Sequence, residues 1–523
     1  MTDTQRLSAG DSRTRRVLAG TVAGVVQQVV TIAMQIALVP LIIDRAGAET
    51  VGAYAILSQL IGWGSITNLG LGVTAWRFMA EAHGLGDGGV RFATILRTTR
   101  FLYWMTNLAF AIFVVAAGVA TSYLVTLTPD LAARLRLAAF MYAVWSVLRT
   151  PLTLYGDALY ATQNVALASL TTTLASLLRL AGSIVFVWAG LGLVGLTVAA
   201  IISEFLSGVA NSLLFSRLHP EIGAVAAGRD GPLMRRMLSF GSTFLISTLS
   251  NQLATNTSGL VFGALFGAGA VSMAYTSQMP ASVLGQTIWK LSDSAGPAVT
   301  QLHAQRQQAG LRRAYLTLLR SSLACGLPLA VGLVAFSRPA VSLWVGADQY
   351  AGGLFTLAVA VVTVIEIILH LQLVFFIAQG EVRGYGIATL IANVVKIVVW
   401  LAAGMTIGLG GMMVVAAAVQ VPILVYACSR LHRALGARTA EVLRESLLRP
   451  ILIAGCCAGF VASGALLWPW PHDWPSLMGW ATAYGAIWAL LCWLLGCTAA
   501  ERASILAACR RQLNRWAGHA GTA

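Results

Sequence analysis

Apolar stretches of bilayer length follow one another along almost the whole chain, parted by short polar segments. A helix that crosses the hydrocarbon core needs about 20 mostly apolar residues. Fourteen stretches meet that length: Val17–Ile43, Val51–Trp76, Phe101–Val125, Leu137–Ala161, Val165–Gly190, Leu193–Phe215, Leu238–Phe266, Val271–Val299, Leu316–Phe336, Leu354–Ala378, Tyr385–Met405, Met412–Cys428, Ile451–Leu467 and Leu477–Gly496. The pattern predicts an all-α integral membrane protein of about 14 transmembrane helices. The first stretch is too long for the apolar core of a signal peptide and is read as retained.

The pattern also runs twice. The block Arg16–His83 is echoed by Arg236–His303, 220 positions on. Ser58-Gln59 recurs as Ser277-Gln278, Gln163 as Gln379, and Gly192 and Gly195 as Gly408 and Gly411. In the fifth span of each copy Arg179 stands opposite Lys396. Six spans per copy, an even number, keep both copies in one orientation, with a pseudo-two-fold axis along the membrane normal. The expected organisation is a six-helix lobe over 1–215, a second over 216–430, and two additional helices with a tail over 431–523.

Charge sets the orientation. The net charge is +15, which by itself would admit nucleic acid as a partner. The basic residues instead gather in alternate loops: 26 of the 34 lysines and arginines fall on the side of the N-terminus, against Arg45, Arg134, Arg136 and Arg338 on the other. Positive loops stay cytoplasmic, so both termini are expected inside, with contacts to anionic lipid and none to nucleic acid. The seven cysteines make no C-x-x-C pair and read as small apolar residues. Tryptophans in Trp468-Pro-Trp-Pro-His-Asp-Trp-Pro475 suit an external interface. Ala440–Leu448 and Ala500–Trp516 have the composition of amphipathic helices lying on the membrane. No Walker A loop, Rossmann loop, metal-ligand spacing or nucleophile elbow occurs, so neither cofactor, metal nor catalytic residue is expected.

From Pro40 the chain reads Gly47-Ala-Glu-Thr-Val-Gly-Ala-Tyr54, then Asn68-Leu-Gly-Leu-Gly72 and Arg77; its second copy runs from Gly267 to Tyr275, then Gly296-Pro297 and Leu302-His-Ala304. In this order and duplication the chain resembles the multidrug/oligosaccharidyl-lipid/polysaccharide exporter superfamily, in its bacterial polysaccharide (O-antigen-type) flippase branch. The resemblance covers about Arg16 to Arg430 and implies a two-lobed helical bundle that moves amphiphilic substrates by alternating access. The two extra C-terminal spans resemble those of the polysaccharide and lipid II flippases.

Charges inside spans are the candidate chemistry, because each costs about 2.5–3.5 kcal/mol at a helix centre. Arg179 and Lys396 either face a watery cavity and hold a diphosphate or form a structural clamp. Arg149, just before Thr150-Pro151, either joins them or satisfies backbone freed by the proline. Lys290 and Asp293, three apart, either neutralise one another or give a ligand contact near the cytoplasm. Glu366 and His370, four apart, form either a proton-linked pair or a packing pair; Asp293 is the third candidate for coupling. Glu204 and Asp157 are more isolated. Polar residues of the first and seventh spans, Gln28, Asn251 and Asn256 among them, either line a cavity and bind sugar hydroxyls or bond helix to helix.

The expected function is translocation of an isoprenoid-diphosphate-linked oligosaccharide across the bacterial inner membrane for polysaccharide assembly, alongside membrane lipids and polysaccharide assembly proteins. The rivals are a cation-coupled multidrug exporter of the same fold, which would favour acidic cavity residues, and a membrane-embedded polymerase or ligase, which would present a large external loop.

Overall fold

A computed structural model of the chain describes residues 26–85, 89–224, 228–242, 245–498 and 501–503. Regular structure among them is helical. In hydrocarbon no water bonds the backbone, and a helix satisfies its amides within one segment. Among the described residues eleven helices are long and apolar enough to cross a membrane, which makes this a multi-pass membrane protein.

The first is α1 (Val26–Ala46); the span's expected start at Val17 and the basic N-terminus lie outside the described residues. The second span is broken. It runs as α2 (Ala48–Gly64), a tight turn at Ser65–Asn68, then α3 (Leu71–Leu85), because Leu69 and Gly70 take φ of 48° and 68°. Next come α4 (Val90–Leu124), α5 (Pro129–Leu148), α6 (Thr150–Ala161), α7 (Val165–Trp188) and α8 (Gly192–Leu218). Short α9 (Pro220–Ala224), α10 (Gly231–Ser242) and α11 (Leu245–Thr255) lead into α12 (Ser258–Ala304). After it run α13 (Gln308–Val345), α14 (Gly353–Gln379), α15 (Val382–Leu435), α16 (Thr439–Val442), α17 (Leu448–Leu467) and α18 (Trp474–Leu491).

Two helices run on across the boundary between two expected spans, and glycine marks both joints. Gly267 breaks α12 with φ 82° and ψ 174°; Gly408 breaks α15 with φ 65° and ψ 179°. Side chains rarely adopt these angles. The repeat mates behave alike: Gly47, between α1 and α2, has φ 83°, and Gly192, opening α8, has φ 48°. The joints of the duplication are thus inherited as backbone conformation. Gln163 and Gly380 are likewise left-handed, with φ 62° and 75°. This sets their equivalence one residue away from the Gln163–Gln379 match.

Two compact units result. The first holds the described residues up to Tyr275 together with Asn393–Thr406. One of its cores gathers Phe92, Leu154, Phe215 and Met237, another Phe110, Leu135, Trp145 and Leu193. The second holds Thr276–Ala392 and the described residues from Ile407 onward. Its main core gathers Leu311, Tyr315, Phe375 and Leu431. A smaller one, with Ala324, Ile453, Cys457 and Tyr484, seats α17 and α18 on α13.

The expected surface helix at Ala440–Leu448 is part of a continuous helix, Ala440–Leu467. Its Ser446 is fully buried and bonds to α13, so this segment packs on protein. Ala500–Trp516 lies almost wholly outside the described residues. Arg320 sits within α13 and is 8% exposed.

Candidate functional site

Proline builds the main polar cluster of the first unit. Pro151 has no amide hydrogen, and its ring disfavours helix in the residues before it. Helix α5 stops at Leu148, α6 starts at Thr150, and Arg149 is the joint. Tyr142, Trp145 and Arg149 lie three and four apart, on one helix face. All three donate to Glu204 of α8. The Tyr142 hydroxyl reaches Oε1 at 3.1 Å; Trp145 Nε1 and an Arg149 guanidinium nitrogen reach Oε2, each at 2.9 Å. A carboxylate taken from water needs such charge-assisted bonds.

Arg179, on α7, donates to the Tyr54 hydroxyl of α2 at 2.8 Å. Arg149, Arg179 and Glu204 line a cavity of about 280 Å³, with Thr172, Ser176 and Ser207 among its other walls. Two guanidiniums against one carboxylate leave this lining net cationic. Both arginines are half-committed: each makes a bond to a protein acceptor and faces open space.

Lys396 does not line this cavity. It is 5% exposed, with Nζ 5.1 Å from the ring centre of Trp400, which packs on Phe262. Gln28 is half-buried in α1 and Asn251 is exposed. Asn256 belongs to a helix-to-helix seam. Its carbonyl accepts from Trp63 Nε1 at 2.7 Å, its amide donates to Gln252, and Gln252 donates to Ser65. The Gly259 amide donates to Gln59 at 2.9 Å.

In the second unit the expected pairings are exchanged. Asp293 does not neutralise Lys290, which is exposed. Asp293 Oδ1 lies 2.8 Å from His370 Nε2, and the imidazole stacks on Trp289 at 4.7 Å. Asp293 and Lys290 share α12, but α14 brings a better-directed partner to the carboxylate. Glu366, on the same helix as His370, is half-buried and within electrostatic range of Tyr385.

Glu204, read from sequence as isolated, is the centre of the first cluster, and Asp157 accepts from the Tyr103 hydroxyl at 2.8 Å. The 142/145/149 spacing was visible beforehand, although nothing in it names the helix it faces. Among the described residues no group of three His, Cys, Asp or Glu side chains is placed to hold a metal.

The fold has known counterparts. The fold is that of the MOP superfamily of membrane transporters. An inward-facing multidrug resistance MATE family transporter of that superfamily superposes with TM-score 0.66 at 14% identity, over 80% of this chain and 99% of its own. The lipid II flippase MurJ, in an inward closed conformation, gives 0.61 at 12% identity over 91% and 98%. A MOP superfamily transporter from Pyrococcus furiosus, described by the reverse polarity of its binding pocket, gives 0.58 at 16% identity over 80% and 96%. In sequence, residues 95–351 match the family described as "Polysaccharide biosynthesis protein". The resemblance to the polysaccharide branch of the superfamily is borne out. A search of curated proteins found no sequence match.

Proposed function

We propose that this protein is a flippase that carries an isoprenoid-diphosphate-linked oligosaccharide from the cytoplasmic to the external leaflet of a bacterial inner membrane. The observation that carries the reading is the net cationic cavity of Arg149, Arg179 and Glu204 at membrane depth, together with the family match over residues 95–351. Oxygens of a diphosphate accept bidentate bonds from guanidinium. Within the first unit Lys396 is a further cation, and Gln28 and Asn251 are assigned to the sugar hydroxyls; Lys290 of the second unit is a separate candidate contact. Two lobes, 1–215 and 216–430, alternate access, with 431–523 appended and both termini cytoplasmic. Asp293 and His370, with Glu366 beside them on α14, are assigned to coupling. The reaction leaves the substrate covalently unchanged, and polysaccharide assembly proteins take it up outside.

Purified protein in liposomes should move a fluorescent isoprenoid-diphosphate sugar between leaflets without changing its mass. Arg149→Gln and Arg179→Gln should abolish this while leaving folded protein in the membrane. Efflux of cationic dyes with no movement of the lipid would overturn the reading in favour of a drug exporter.

A further inference from the structure

Helix α13 contains Pro328. A proline inside a helix has no amide hydrogen for the carbonyl four residues earlier, which here is Ala324, and that carbonyl must find another donor in hydrocarbon. It finds two on the C-terminal helices. Trp488 Nε1 donates to the Ala324 oxygen at 3.0 Å, and the Cys492 thiol approaches it at 3.5 Å. One turn on, the Tyr484 hydroxyl donates to the Pro328 carbonyl at 2.5 Å.

The contacts continue in the other direction at the same spacing. Arg320 pairs with Glu501, and the Ser446 hydroxyl donates to the Leu316 carbonyl at 3.0 Å. Glu501 is itself fixed by a reciprocal pair with Thr498, whose amide donates to it at 2.7 Å. Residues 316, 320, 324 and 328 recur every four positions, which is one stripe of a helix. Among the described residues, the side-chain bonds to this stripe come from the segment after residue 445.

Packing follows the same line. Tyr484 lies against Gly332, where an added Cβ would come within 3.3 Å of its ring. Cys457 and Ile453 are wholly buried against Ala324.

We infer that α17, α18 and the turn after them form a clamp on the proline turn of α13, replacing the backbone bond that Pro328 removes. The extra helices are then structural parts of the second unit, whatever the substrate proves to be.

The test is a cycle between Trp488 and Pro328 in the full-length protein. Trp488→Phe keeps the ring bulk and removes the donor. It should lower the thermal unfolding temperature in detergent. In a Pro328→Ala background, where the new amide serves the Ala324 carbonyl, the same change should cost little. An equal loss in both backgrounds would overturn the proposal, since Trp488 would then act by packing alone. Should Pro328→Ala fail to fold, hydrogen exchange on the single variants decides. Amides of residues 326, 327 and 329–332 should exchange about tenfold faster in Trp488→Phe and Tyr484→Phe, with α14 unaffected. Unchanged exchange there would overturn the clamp.

Discussion

Arg149 and Glu204 meet at 2.9 Å across a proline break, 55 residues apart in the chain. The bond joins a helix joint on one side to the middle of α8 on the other, and two further lone pairs of the carboxylate are taken by Tyr142 and Trp145. Removing either partner leaves the other charged group without its ion pair inside the bundle. Glu204→Ala and Arg149→Ala should each destabilise the protein by about 3 kcal/mol. Their double variant should fall short of the sum by about 2 kcal/mol. Thermal unfolding of the four proteins measures the cycle; strict additivity would mean that the two groups do not interact.

Gly52 tests the close approach of the duplicated joints. A Cβ there would stand 1.9 Å from the Ala268 carbonyl oxygen, right after the Gly267 break. Backbone on the far side gives way poorly, so Gly52→Ala should cost about 3 kcal/mol or more. Gly72→Ala is the control, because the nearest atom to its Cβ is 3.9 Å away. It should be tolerated. Unfolding midpoints of the two variants should differ clearly, and equal midpoints would contradict the packing.

His370 should couple to Asp293 and not to Glu366. In a transport assay run across pH, Asp293→Asn and His370→Asn should alter the profile alike, and the double variant should match either single one. Glu366→Gln should add its own effect on top of His370→Asn. A double variant of His370 and Glu366 that behaves like one change would restore the pairing expected from sequence.

Asp473 opens α18 by accepting from the Ser476 amide at 2.9 Å, while the Ser476 hydroxyl returns a bond to the backbone. Hydrogen bonds from Ser476 hold its carboxyl below the usual value of 3.8. A lowered folded pKa means that the stabilisation is fully present above the unfolded pKa and is lost as pH falls through the folded one. The wild type should therefore lose this contribution as pH drops below about 4. Asp473→Ala should already lack it at pH 7 and show a smaller further loss on acidification. Thermal scans at pH 7 and pH 3 compare the two.

What the sequence determined on its own was everything set by local composition. Apolar length placed the spans, since a bilayer imposes about the same length on every crossing helix. The duplication placed Gly192 and Gly408 at matching joints, and both take positive φ. Proline marked Arg149 as a special position before any partner was known. Tertiary structure alone decided which charge meets which. Arg149 takes Glu204, Asp293 takes His370, and Arg320 takes Glu501. The same limit explains Asn256, whose polarity was plain but whose bonds to α2 were not. Spacing along one helix fixes which residues share a face, and that is where local information ends. Lipid-facing and protein-facing surfaces are both apolar, so composition does not say which neighbouring helix a face will meet; only the packed bundle brings donors and acceptors within bonding distance.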